Sequence, residues 1–363
     1  MARDPQKTAR NKIIEEITEE LKELFPTVQQ ETGWTLETLH AKLGNKDDVF
    51  FDLKNDIFTS DDQFVTMWFD QLEKWADLSY YQCRPLFEKI QSSKAFKKYT
   101  VLFTKRTFLR NFEQLSRKRP TVEESSMWLG SNDNIYGLFV VPRFVDGLVH
   151  QKWENDKSDI RKAKFSYWTI GHVLKTGLVT PPMGKAESLS RIKFAAIEDY
   201  LSFFLNSMVR QNKSLYETAI AESYCNYVLS LGKTEAKETP LLIPQFRYAG
   251  LNKEHKHRLD FMTINPYNLE KVGYELSPWS THGEIKGTKD LKQYQINKIG
   301  EDNHEAEIQK IKDFFMEYRI TALVFTQELS DCQRIFDTYI KPNLRPKKPE
   351  QKISFIAKHK YAI

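Results

Sequence analysis

Residues 190–326 impose a fixed order of elements: a helical stretch, three short β-rich runs, a second helical stretch and one more apolar run. Ile197, Tyr200, Leu201, Phe204 and Met208 recur at helical spacing, and a further helical pattern over 216–229 stops at Gly232. Residues 241–248, 257–264 and 271–277 then read as strands, divided by the turn formers Gly250 and Asn252 and by Asn265, Pro266 and Asn268. A helix over 302–318 precedes the run 320–326, whose unbroken apolar character predicts a buried strand. Short strands cannot bury an apolar side alone, so they must pair with each other and be covered by the helices. The order predicts an α/β domain over 190–340, a mixed sheet flanked by helices.

The preceding sequence has a different rhythm. Ile13, Ile14, Ile17, Leu21 and Leu24 form an apolar stripe that Pro26 is expected to stop, and helical intervals return over 64–75, 85–90 and 99–115 before Pro120. Residues 1–120 are therefore expected to be an all-helical domain that positions nucleic acid or a partner, its Lys and Arg residues reading as solvated helix surface. Over 136–153 two β-rich runs flank Asp146 and Gly147, a hairpin signal, with Pro142 confining it to an edge. A short helix closed by Gly177 and a strand-like exit follow. Helix plus hairpin is also the layout of winged-helix DNA readers, but the piece is short, and 121–189 reads first as a connector. The segment 341–363, basic and broken by prolines, reads as a tail.

Composition excludes several classes. With 40% hydrophobic and 28% charged residues over 363 positions the chain has ordinary globular values and should fold. A net charge of +5 leans only mildly toward polyanions and assigns no partner by itself. Cys83, Cys225 and Cys332 are too few and too scattered for a disulfide framework or a zinc cluster, which favours a reducing compartment. The chain has no apolar signal core and no apolar run of about 18 residues, so a soluble cytoplasmic protein is expected. Neither a phosphate-binding Gly-rich loop with Lys-Ser/Thr nor a Gly-x-Gly-x-x-Gly is present, which argues against a nucleotide-driven motor and a dinucleotide enzyme. His255 and His257 have no further ligands at zinc spacing and read as loop residues; His304 reads as solvent-facing.

The chemistry concentrates on two acids. Asp260 lies on the second predicted strand between Leu259 and Phe261, where a charge is costly without a cation or partner. Glu275 lies on the third, on the opposite side of the alternation from Val272, Tyr274 and Leu276. Adjacent strands of a hairpin bring such carboxylates within reach of one hard cation, which can polarise a phosphodiester and activate water against it. A single strand carboxylate is ordinarily only exposed or salt-bridged; it is the pair that points to chemistry.

Arg258, Leu259, Asp260 and Phe261, then a strand carrying Glu275 and the run to His282, resemble the PD-(D/E)XK nuclease superfamily, and within it the very-short-patch-repair-like branch. The resemblance spans roughly residues 190–330 and implies a restriction-endonuclease-like fold with Asp260 and Glu275 as ligands for Mg²⁺, or Mn²⁺ in its place. It implies hydrolysis of DNA leaving a 5′ phosphate, in restriction or defence against foreign DNA. Gln245 is similar in place to a polar residue of that branch. Glu217 or Glu222 corresponds to its auxiliary acid, with Glu222 taken as the third metal ligand, and His282 corresponds to the histidine near the leaving group. The superfamily's Lys, two residues past the Glu, is here Ser277; Lys286, Lys289 or Lys292 are the expected substitutes. A literal Glu-x-Lys, Glu284 to Lys286, is the second choice for the motif. The alternative reading is a nuclease-derived DNA-binding or assembly subunit weakened in catalysis, as a homodimer or within a larger complex.

Overall fold

The computed structural model describes residues 4–353 apart from 45–46, 53–55, 79–82, 121–123, 125, 132–133, 141–142, 146–147, 151–165, 182–189, 249, 251–257 and 277–290. The chain divides into two compact units, one of Met1–Arg119 with Lys348–Ile363 and one of Pro120–Lys347.

The first unit is helical: α1 (Pro5–Thr32), α2 (Leu36–Gly44), α3 (Asp47–Phe50), α4 (Asp61–Asp77), α5 (Cys83–Ser92), α6 (Lys94–Arg110) and α7 (Phe112–Leu115). Asp4 caps α1 by accepting from the backbone N–H groups of Gln6 and Lys7, and Gly33, left-handed at φ 70°, closes it. Contrary to the sequence expectation, α1 runs through Pro26. Proline removes one rung of the helical ladder, but the turns beyond it are held from outside. Val28 is fully buried, Thr32 hydroxyl donates to Val28 carbonyl at 2.7 Å, and Lys89 Nζ donates to Thr32 carbonyl at 2.9 Å. Ser60 and Ser93 cap α4 and α6, whose buried Phe64 and Phe108 pack with Phe51 and Phe58 into one aromatic core. A buried ion pair, Lys105 to Asp61 at 2.8 Å, ties α6 to α4.

The expected tail 341–363 is divided in the structure. Lys341–Leu344 forms a 3₁₀ turn in the second unit, whereas residues from Lys348 return to the first. There Lys352 N–H donates to Thr59 carbonyl at 3.0 Å and Arg10 donates to Gln351 at 2.9 Å. The segment is thus held by backbone and side-chain bonds together, Lys348 pairing with Asp4 at 3.5 Å.

The second unit holds two four-stranded sheets and a separate hairpin. The hairpin joins β3 (Arg143–Val145) and β4 (Leu148–His150) around residues 146–147. It is shorter than the sequence implied: β2 (Tyr136–Phe139) pairs instead with β1 (Ser126–Leu129) and with β5 (Leu178–Thr180), which pairs with β6 (Ser190–Ile192). The short helix α8 (Ile170–Thr176) is built into this sheet rather than connecting past it. Its fully buried His172 accepts from Trp168 N–H on Nδ1 and donates from Nε2 to Phe139 carbonyl on β2 at 2.9 Å. Burial pushes that imidazole down to about 4, so it is a neutral clamp.

The second sheet has the order β10-β9-β8-β7. It is preceded by α9 (Ile197–Phe203), which runs on through a π-turn, then by α10 (Leu215–Ser230) and α11 (Lys233–Glu238). Strand β7 is only Ile243–Pro244, because Gln245 turns left-handed at φ 47° and the chain beyond bonds to the first sheet, with Arg247 N–H donating to Trp128 carbonyl. Strands β8 (Phe261–Ile264) and β9 (Lys271–Leu276) form an antiparallel hairpin, and β10 (Ile320–Phe325) lies parallel to β9 after the crossover helix α12 (Gln293–Tyr318). The apolar run of β10 predicted a fully buried strand; among the described residues it is an edge, with Ile320 and Phe325 buried and Thr321 exposed. Among the described residues no helix is long and apolar enough to cross a membrane.

Candidate active site

The register of the β8–β9 hairpin fixes the centre. Phe261 pairs with Tyr274, so Asp260, one residue before β8, stands across from Glu275 on the same side of the sheet. The Asp260 carboxylate is held at both oxygens: Oδ2 accepts from Leu276 N–H at 2.7 Å and Oδ1 from the Gln245 side-chain amide at 3.3 Å. Gln245 N–H also donates to Asp260 carbonyl at 3.1 Å, so the left-handed turn that ends β7 is what aims this amide at the acid.

Glu275 is 6% exposed and its Oε1 lies 2.5 Å from Lys310 Nζ. Lys310 is itself buried, on α12 one turn before Phe314, which packs edge-on against Tyr248. The crossover helix thus lays one basic residue into an otherwise apolar contact with the sheet. Glu217, in the first turn of α10 and 7% exposed, accepts from Asn212 at 2.7 Å. Burial raises its carboxyl, and the charge of Glu275 raises it further. Asp260 is pushed well above the usual carboxylate range, first by burial and then by the charges of Glu275 and Glu217; the Leu276 N–H and Lys310 oppose that rise. Three acids and one ammonium therefore share one electrostatic site.

Glu222, the acid taken from the sequence as third ligand, is elsewhere. Five residues on from Glu217 it lies well round the helix, since each residue turns about 100°, and it is half exposed in an ion pair with Arg210 at 2.8 Å. Lys292 is exposed at the start of α12, its backbone N–H donating to Gln295. The lysine found beside Glu275 is Lys310, a residue the sequence reading passed over; the available signal was a Lys in helical register with a core Phe. Ser277, His282, Glu284, Lys286 and Lys289 lie outside the described residues, as do His255, His257 and the His304 side chain.

Whether these groups suit a divalent ion depends on their donor chemistry. Asp260 and Glu275 offer hard carboxylate oxygens with neither sulfur nor imidazole beside them among the described residues, the set preferred by Mg²⁺ or Mn²⁺. Among the described residues no three His, Cys, Asp or Glu side chains form a ready cage. Mg²⁺ characteristically takes one or two carboxylates and completes its octahedron with water and phosphate oxygens, so an acidic pair fits it. Comparison with protein-family models, with curated proteins and with solved structures returned no match.

Proposed function

We propose that the chain is a metal-dependent nuclease that hydrolyses DNA phosphodiester bonds at Asp260 and Glu275. The observation that carries the reading is the cross-strand placement of these two buried carboxylates on one side of the β8–β9 hairpin, with an ammonium at the second. The sheet and its helices support it. Helix α10, strands β7, β8 and β9, helix α12 and strand β10 follow the order of the PD-(D/E)XK core that the Asp260 and Glu275 motifs resemble.

Asp260 and Glu275 would hold Mg²⁺, which polarises the phosphate and lowers the pKa of an attacking water when bound. Gln245 and the Leu276 N–H orient Asp260 so that its remaining lone pairs face the site. Lys310 pairs with Glu275 and sets a positive charge where negative charge accumulates on the phosphate, the task of the lysine whose usual place is taken by Ser277. Glu217, raised in pKa beside them, is placed to take or relay a proton.

Purified chain with Mg²⁺ or Mn²⁺ should cut DNA, and Asp260→Ala should abolish the cutting. Intact linear, supercoiled and single-stranded DNA, and intact RNA, would sink the proposal. A second reading has its own observation: Lys310 already neutralises Glu275, as in a centre that has exchanged its metal for an ammonium. In such a DNA-binding module Asp260→Ala leaves affinity unchanged and Mg²⁺ leaves thermal stability unchanged.

A further inference from the structure

The helical unit carries a cation of low exposure with no anion partner among the described residues. Arg106, on α6, is 8% exposed, yet among the described residues it makes no hydrogen bond and no ion pair. Its guanidinium lies 5.5 Å above the Phe103 ring. Arg110 follows one turn later on the same helix face, exposed, and the neutral ring of His40 of α2 sits 5.2 Å from Phe103 on a tilted plane. Tyr99 hydroxyl meets His40 Nε2 at 3.3 Å, and Glu37 supplies the only negative charge acting on the imidazole. Helix α6 has no acidic residue along its 17 positions.

Physically this is an unbalanced arrangement. Lys105, the preceding residue, is matched by Asp61 at 2.8 Å, whereas the Arg106 nitrogens, none of them sealed from solvent, meet no carboxylate among the described residues. Two arginines a turn apart repel each other. Burial and the charges of Arg106 and Arg110 hold His40 below its ordinary range, so the imidazole registers the same surplus. An oxyanion accepting from both guanidiniums relieves their repulsion and the surplus that His40 registers, and the fork of Arg is the side chain best matched to phosphate.

We propose that Arg106, Arg110 and His40 form a phosphate-binding site and that its occupant is a phosphodiester of a nucleic-acid strand. The choice of a strand over other phosphates rests on the nuclease reading above; the partly exposed Phe103 ring, packed with His40 and Arg106, borders the site.

The test is fluorescence anisotropy of the full chain on short labelled single-stranded and duplex DNA in EDTA, so that binding is read without cutting. Arg106→Gln and Arg110→Gln should each weaken binding about tenfold and lower the slope of log affinity against log salt by about 1. Arg110 is exposed, so its variant keeps the test valid if the Arg106 variant misfolds. On strand binding the His40 ring resonances should titrate at higher pH than in the free chain. Wild-type affinity and slope in both variants overturn the proposal. So does an arginine-dependent affinity that appears only on vesicles containing phosphatidylserine. A chain that binds through these arginines but leaves DNA intact with Mg²⁺ overturns the nuclease reading alone; one that cuts DNA while both variants bind normally overturns this site alone.

Discussion

At the scale of single residues, Asp260 sets two demands against each other. Its carboxyl is buried beside Glu275 and Glu217 and titrates well above the ordinary range. In the metal-free chain the folded state therefore keeps a proton that the unfolded state loses near the ordinary value of 3.8. Stability from this group is fully present below that value and is lost as pH rises through the raised folded pKa. A divalent ion must displace the proton, so Mg²⁺ or Mn²⁺ should raise Tm more at higher pH and bind more weakly as pH falls. Asp260→Asn keeps an oxygen for the Leu276 N–H and removes the cost of holding that proton or, at higher pH, of burying the charge. We expect it to raise the metal-free Tm, by about 2–4 °C for each kcal/mol recovered, and to erase the metal-induced shift. Calorimetry with and without Mg²⁺ at two pH values reads both; a metal shift that survives Asp260→Asn contradicts the assignment. Lys310→Met, which removes the buried ammonium from Glu275, should cost roughly 3–5 kcal/mol in the metal-free chain and lower cleavage by about 100-fold or more. Glu222→Gln, at an exposed ion pair, should leave both within error.

Elements explain which of these residues could be read from the sequence. The alternation of β8 and β9 and the turn between them are local, so the pairing of Asp260 with Glu275 follows from strand spacing alone. Lys310 and Glu217 are placed by the crossover of α12 and the roll of α10, long-range packing that periodicity does not encode; Glu222 was the same residue type on the wrong face of that helix. The π-turn after α9, the break at Gln245 and the persistence of α1 through Pro26 were hidden likewise, since in each case tertiary contacts override a local preference. Gly273 shows how closely the centre is packed. A Cβ there would stand 2.1 Å from Leu259 Cδ1, with Ile320 at 3.2 Å, and Leu259 is itself 1% exposed next to Asp260. Gly273→Ala should therefore push Leu259 against Asp260, destabilising the unit by about 1–3 kcal/mol and lowering activity more than Tm alone explains. Restoration by the double variant Gly273→Ala, Leu259→Ala would identify the clash as the cause, whereas a silent Gly273→Ala would show that Leu259 moves freely.

On the scale of the whole molecule, the chain leaves the helical unit at Arg119 and returns to it at Lys348, so the second unit is an insertion between a helical body and its own final segment. That return is made of specific bonds. Besides the Arg10–Gln351 and Thr59–Lys352 hydrogen bonds, Ile353 packs on the helical core and Lys348 pairs with Asp4 at 3.5 Å. Arg10 is 7% exposed, stacks 5.0 Å from the Phe112 ring and meets Glu113 at 3.4 Å, so loss of Gln351 leaves a buried guanidinium short of one acceptor. An unsatisfied buried group of this kind costs about 1–3 kcal/mol, and a domain of this size loses about 3–4 °C per kcal/mol. Two units with separate cores should melt in two steps. Deleting 348–363 should lower the step belonging to the helical unit and leave the other, identified by its response to Mg²⁺, where it was. Arg10→Met in the truncated chain should win back part of the loss, because it removes the stranded charge while keeping the contact with Phe112. If truncation lowers both transitions together, the two cores do not unfold independently and the closing segment acts on more than the unit it rejoins.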